Sequence, residues 1–306
     1  MAGGDLNAVC CPIYRETNDP IKRRTGGEKY LGSKAQFCAA FYHVHEWGER
    51  KHSCLHKRKC IIAKRARKGR NYDWSFQPKH VVAVVKFEDS KESTLYEARY
   101  TNCDPKKMHA EDFFKKDVTE GDLKKVITDN EGGKITMYLT LQPCNRSVSL
   151  AGTDNTRADK TCCDTLLKIY IENLLGRNIC LCIKVTHLYR LGLEHGTARN
   201  EIEKSRDEQL RQRAAAGITA LMLTGVEVES MTEKDWEYLS GMVMFHGDVL
   251  TNNNVPEYAL SPRRELDGDI ENTLTQIREG TSWLKPSLTS LSSWTLAIHS
   301  RMKSSE

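Results

Sequence analysis

The chain has 306 residues, 39% of them hydrophobic, which suits one large domain with extensions and an apolar core. It contains no run of 18 apolar residues, so no membrane span is expected, and its first 30 residues lack the charged-then-apolar plan of a secretory signal. The 11 cysteines are an odd number, which argues against a full disulfide framework and for reduced thiols in a cytoplasmic or nuclear protein, a few of them kept for metal.

The net charge of +5 conceals an asymmetry. Residues 1–70 carry 16 Lys/Arg against 6 Asp/Glu, and ten of these basic residues lie between Arg50 and Arg70. The rest of the chain is mildly acidic. A cationic arm beside an acidic domain points to a phosphate-backbone partner, although the same run also reads as a nuclear signal or a solvated face. We expect a basic extension over 1–75, a folded domain over 76–280 and a Ser-rich tail over 281–306.

Along the chain, 34–50 shows helical spacing of Phe37, Ala40, Phe41, Val44 and Trp47. Residues 79–88 and 93–100 read as two strands of a hairpin. Met108–Asp117 is expected as a helix, Lys134–Leu141 as the third strand, and Cys162–Leu175 as a second helix. Asn178–Tyr189 reads as the fourth strand, 203–216 as a charged helix, and Ile218–Thr224 (ITALMLT) as the fifth strand. A helix over 232–245 follows. A helical crossover between the last two strands would make them parallel. The expected architecture is α/β: a five-stranded mixed sheet with helices on both faces and parallel strands four and five.

Within this frame the sequence carries a chemical constellation. Residues 109–111 are His-Ala-Glu, 142–144 are Gln-Pro-Cys, and 162–163 are Cys-Cys. One imidazole, two thiolates and a carboxylate are the set a zinc hydrolase uses: three ligands leave one tetrahedral position for water, whose pKa falls to about 7. His109, Cys144 and one of the pair Cys162 and Cys163 are the expected ligands, and Glu111 is the expected proton shuttle. Cys144 and Cys162 are separated by the polar run 145–161, which reads as a loop and can lengthen at small entropic cost. His109 alone would read as an ordinary helix-face histidine. Cys180 and Cys182 read as strand residues. Cys38, His43, His45, Cys54, His56 and Cys60 offer a second zinc site, but at no standard spacing.

The H-x-E…P-C…C order, together with THLYR at 186–190, EQLRQRAAAGITALML at 208–223 and RELDGDIENTLTQIR at 264–278, resembles the AID/APOBEC polynucleotide cytidine deaminases. The likeness is strongest to their Gln-Pro-Cys-bearing relatives and covers roughly residues 78–280. It implies a zinc cofactor and hydrolytic conversion of cytosine to uracil in single-stranded DNA or RNA, with Glu111 taking the proton of a zinc-activated water and protonating N3. It further implies that Lys160-Thr161-Cys162-Cys163 supplies the third ligand through Cys162, and that Asn102, Ala110, Gln142, Pro143, Tyr189 and Arg190 contact the target nucleotide. Leu141-Gln142 stands where the family has Trp-Ser, so one aromatic wall of the base pocket is missing. A non-catalytic nucleic-acid-binding protein with a structural zinc is the alternative. A deaminase of free nucleosides, or of adenine in RNA, is a third. Self-association into a homo-oligomer stays open.

Overall fold

The structure, a computed structural model, describes residues 82–101, 108–146, 161–188, 191, 201–242 and 262–280. The segment 34–50, the basic run 50–70 with its Cys/His group, and the tail 281–306 lie outside the described residues.

Strands β1 (Val82–Glu88) and β2 (Thr94–Thr101) form the expected hairpin. Its turn is fixed by Asp89, whose Oδ1 accepts from the backbone N–H groups of Lys91 and Ser93 at 2.8 Å each. Helices α1 (Ala110–Glu120) and α2 (Asp122–Thr128) follow, then β3 (Gly133–Leu139). Helix α3 (Cys162–Ile169) widens to π geometry over Tyr170–Leu174 and tightens to a 3-10 turn at Leu175–Arg177. Asn178, at φ +57°, reverses the chain into β4 (Ile179–Val185). Helix α4 (Glu201–Leu223), β5 (Glu227–Ser230), α5 (Glu233–Ser240) and α6 (Pro262–Gly280) complete the described chain. No helix among the described residues is long and apolar enough to cross a membrane.

The sheet order is β2-β1-β3-β4-β5, with β1 antiparallel to both neighbours and β3, β4 and β5 mutually parallel. This is the mixed five-stranded sheet expected. The register gives it two unlike faces. Val85, Ala98, Met137, Ile183 and Val228 lie in one row on the apolar face, packed with Phe113, Phe114, Leu166, Leu167, Ile218 and Leu221 from α1, α3 and α4 in one continuous core. Lys86, Glu97, Tyr138, Lys184 and Glu229 lie on the other face, in two neighbouring rows: Lys86 stands between Glu97 and Thr136, and Lys184 between Tyr138 and Glu229. Helix α5 lies there: the Tyr238 ring stands 5.3 Å from that of Tyr138, its hydroxyl donates to Glu97 at 2.9 Å, and Lys86 sits over it at 4.5 Å.

One expected element is wrong. Ile218–Thr224 is the end of α4, not the fifth strand. Leu210, Ala214, Ile218 and Leu221 recur at helical spacing and are all buried, so the helix carries its apolar stripe straight through Ala214-Ala215-Ala216-Gly217. The glycine that ends the helix is Gly225, at φ +97°, a conformation costly for any residue with a Cβ. The true β5 is four residues long and alternates glutamate with valine and serine. It is an edge strand, and α6 closes its open side. Ser230 N–H donates to Glu271 at 3.0 Å, and Arg278 donates to the Val228 carbonyl at 3.1 Å. Helix α2 was also not anticipated. It is joined to α1 through Gly121, where an added Cβ would fall 2.1 Å from the Asp117 carboxylate. Asp117 is held in turn by the hydroxyls of Tyr96 (2.6 Å) and Tyr100.

On the polar face Lys184 pairs with Glu229 at 2.7 Å and Asp235 at 3.3 Å. Burial pushes the Glu229 carboxyl up, but the bond from Lys184 and its charge outweigh this and hold it below its usual range. A carboxylate depressed on folding contributes stability that is present above its unfolded value of about 4.3 and is lost as pH falls through its folded value. Lys184→Met is therefore expected to destabilise the protein at pH 7 and to flatten the acid limb of its stability curve between about pH 5 and pH 3. Urea unfolding at a series of pH values checks this. An unchanged slope would show that the pair does not set the acid limb.

Candidate metal centre

All five strands are oriented so that β2, β3, β4 and β5 end at the same edge of the sheet, and the candidate site is built there. His109 is the residue before α1. Its backbone N–H is fixed by Asp112 Oδ2 at 2.7 Å, which closes the helix start and sets the direction of the imidazole. Cys144 lies five residues after the end of β3, and Cys162 is the first residue of α3. His109 Nδ1 is 3.2 Å from Cys162 Sγ and 3.7 Å from Cys144 Sγ, and the three donor atoms all lie within 4.8 Å of one another. Among the described residues they form a group positioned to coordinate a metal ion, and the ligand set is compatible with zinc.

The long interval between the two cysteines is closed at its neck. Asn145 and Thr161 pair as an isolated antiparallel bridge, and Cys163 N–H donates to the Cys144 carbonyl at 3.0 Å. The expectation that the two thiols can meet despite the insertion is met in the geometry. Residues 147–160 lie outside the described residues. The neck is docked on α4: Asn145 Nδ2 donates to the Arg213 carbonyl at 2.8 Å, and Gly217 faces it so closely that an added Cβ would lie 2.5 Å from Asn145 Cβ and 2.7 Å from Cys163 Sγ.

The alternative ligand, Cys163, is turned away. Its thiol donates to the Pro143 carbonyl at 3.6 Å, on the side packed against α4, and it is not in the donor group. Helical geometry decides this: successive residues point about 100° apart, so only one of the pair can face His109.

Glu111, on the first turn of α1, is 3% exposed, and its Oε2 is buried without a hydrogen-bond partner. Burial pushes its carboxyl above the usual range; the His109 ring pulls the other way, and Cys144 adds to the rise. The thiols diverge. Cys144 is held well below the usual thiol range by the bond from Cys162, against burial and with help from His109. Cys162 is pushed well up by burial and by Cys144. A metal ion bound here would displace the thiol protons.

Of the residues expected to contact substrate, Ala110 is buried between His109 and Glu111. Gln142 is buried with its N–H on the His187 carbonyl at 3.0 Å, and Pro143 supplies the acceptor for Cys163. Asn102, Tyr189 and Arg190 lie outside the described residues. The sequence reading missed a group behind the site: Thr186, His187, Arg263 and Asp267, all buried. Only an Arg and an Asp four apart at the start of α6 hinted at it, a spacing equally common on solvated helix faces.

Searches for similarity found no matching family model and no matching curated protein.

Cys162→Ser is expected to lose bound zinc on dialysis, whereas Cys163→Ser keeps one equivalent, as measured by atomic absorption. Gly217→Ala is expected to destabilise the fold by about 1–3 kcal/mol through overpacking and to weaken zinc binding with it, because the residue it displaces adjoins Cys144. Urea unfolding and a chelator competition measure the two effects.

Proposed function

We propose that this chain is a zinc-dependent hydrolytic deaminase that converts cytosine to uracil in single-stranded DNA or RNA, a member of the AID/APOBEC-like group its motifs resemble. The observation that carries the reading is Glu111: a buried carboxylate with an orphaned oxygen, two residues from one donor of a three-donor group. A purely structural metal site has no use for such a group, and leaving it unpaired costs about 1–3 kcal/mol or more. A hydrolytic site needs it.

His109, Cys144 and Cys162 would hold the zinc. The metal, when bound, supplies an activated water. Glu111 takes a proton from the attacking water and delivers it to N3 of the cytosine. A second proton passes through the same carboxylate to the departing amine. A C4–O bond forms, the C4–N4 bond breaks, and the products are uracil and ammonia. The rigid starts of α1 and α3 hold the donors and the carboxylate in place. Two further features support the choice of a polymeric substrate: the parallel β4–β5 pair, which in the resembled family goes with polynucleotide rather than free-nucleoside deaminases, and the basic run 50–70 in the sequence.

The test is incubation of the full chain with a single-stranded DNA oligonucleotide and its RNA twin, each with one cytosine, beside a Glu111→Ala control. Uracil is expected from the wild type, with a loss of at least about 10²–10⁴-fold in the variant at unchanged zinc content. Nucleic-acid binding by a zinc-loaded wild type that makes no uracil in either polymer would overturn the enzyme reading and leave a non-catalytic binding protein.

A further inference from the structure

Resting on the reading of the donor group as a zinc site, we infer that His187 and Arg263 are a positioning pair. They fix the turn that carries Cys144 from behind, so that the C-terminal helix α6 sets how well the metal is held. The contacts run in an unbroken line. Thr186 N–H donates to the Leu139 carbonyl at 3.0 Å and the Thr186 hydroxyl to the Thr140 carbonyl at 3.0 Å. The His187 carbonyl accepts from Gln142 N–H at 3.0 Å, and the His187 ring reaches the Thr140 carbonyl through Nδ1 at 3.1 Å. The segment 139–142 is thereby held at three successive points, and Cys144 is two residues further on.

Arg263 fixes the ring from the other side. It donates through Nη2 to the Thr186 carbonyl at 2.6 Å, and its Nη1 stands 3.4 Å from His187 Nε2. A guanidinium has donors only, so Nε2 must be the acceptor. The ring proton is then on Nδ1, where it meets the Thr140 carbonyl and the Thr186 hydroxyl, 2.8 Å away. Arg263 thus selects the tautomer that can grip the strand end. It is itself clamped by two bonds to Asp267, whose other oxygen accepts from the Trp236 indole at 2.7 Å. Arg263 and Asp267 are 0% and 2% exposed. A buried ion pair of this kind adds little net stability relative to apolar packing, so its directional bonds are the better account of what it does.

Cobalt and zinc affinity of the full chain, measured by chelator competition and by the cobalt–thiolate absorption bands, tests this beside the uracil assay. His187→Asn keeps a donor for the Thr140 carbonyl at the position of Nδ1; His187→Phe keeps no polar group there. The double variant Arg263→Met with Asp267→Asn removes both charges together and leaves an acceptor for Trp236. We expect His187→Phe and the double variant to bind metal 10–100-fold more weakly with altered cobalt bands, the range seen when partners behind metal ligands are lost, and His187→Asn to restore most of the affinity. Wild-type affinity and spectrum in both disruptive variants would overturn the pair's role while leaving the deaminase reading intact. So would equal losses in His187→Asn and His187→Phe, the pattern of a merely structural residue. Should the double variant fail to fold, the two His187 variants decide alone. Weakened metal binding in a protein whose wild type makes no uracil would uphold the pair and sink the deaminase. A wild type that binds neither metal overturns both.

Discussion

The candidate site depends on a single short closure, the hydrogen bond from Cys163 N–H to the Cys144 carbonyl with the Asn145–Thr161 bridge beside it. These contacts close the 17-residue interval 145–161, and without them His109 would face one thiol instead of two. By the logarithmic law of loop closure, an interval of this length costs about 2 kcal/mol more than a two-residue spacing. A few hydrogen bonds worth about 1 kcal/mol each offset that. The bond from Asn145 to Arg213 and the close seat at Gly217 tie the closure to α4, so the ends of the insertion are held to the core.

The rest of the site follows from how the sheet is laid out. One face is apolar and takes the helices that carry His109, Glu111 and Cys162. The other is lined by Lys86, Glu97, Lys184 and Glu229 and takes α5 through ion pairs and ring contacts. Charges on that face lie in reach of partners across neighbouring strands. The ligand-bearing helix starts rest on the close-packed side chains of the Phe113–Phe114 core, where the Asp117 carboxylate is satisfied by the Tyr96 and Tyr100 hydroxyls. A donor group whose atoms must agree within a few tenths of an ångström needs such a support.

Most of the architecture was legible in the sequence because period and chemistry agreed there. The first strand is a nearly continuous β-branched run that breaks at the polar turn of Asp89; the third alternates and runs out at Pro-Cys; the H-x-E and Cys-Cys elements fall at helix starts. The fifth strand was not legible, because its local signal is weak and its neighbour's is strong. Ile218–Leu223 is apolar and follows a glycine, the pattern of a strand after a helix stop, whereas Glu227–Ser230 contains one valine among polar residues. What settles the matter is tertiary: Gly217 is glycine to let Asn145 and Cys163 approach, not to end a helix. The choice between Cys162 and Cys163 was open for a related reason, since adjacent residues of identical type differ only in direction. His187 could not be joined to Arg263 and Asp267 from spacing, because it meets Arg263 across 76 residues of chain.

Their meeting place has a physical reason. In a sheet whose β2, β3, β4 and β5 all run toward one edge, the carboxyl ends of the strands open there, and the loops that leave them carry the groups able to bind something. The same edge exposes strand-end carbonyls, those of Leu139, Thr140 and Thr186, that have run out of sheet partners and must be satisfied in the interior. Thr186, His187 and Arg263 do this. The groups that meet the backbone's own demand at the end of β3 and β4 are therefore also the ones that decide where the next few residues go, and Cys144 is among them. A change made in α6, on a helix that touches no donor atom, is thus mechanically close to the metal group: it is separated from it by one imidazole and five residues of strand end.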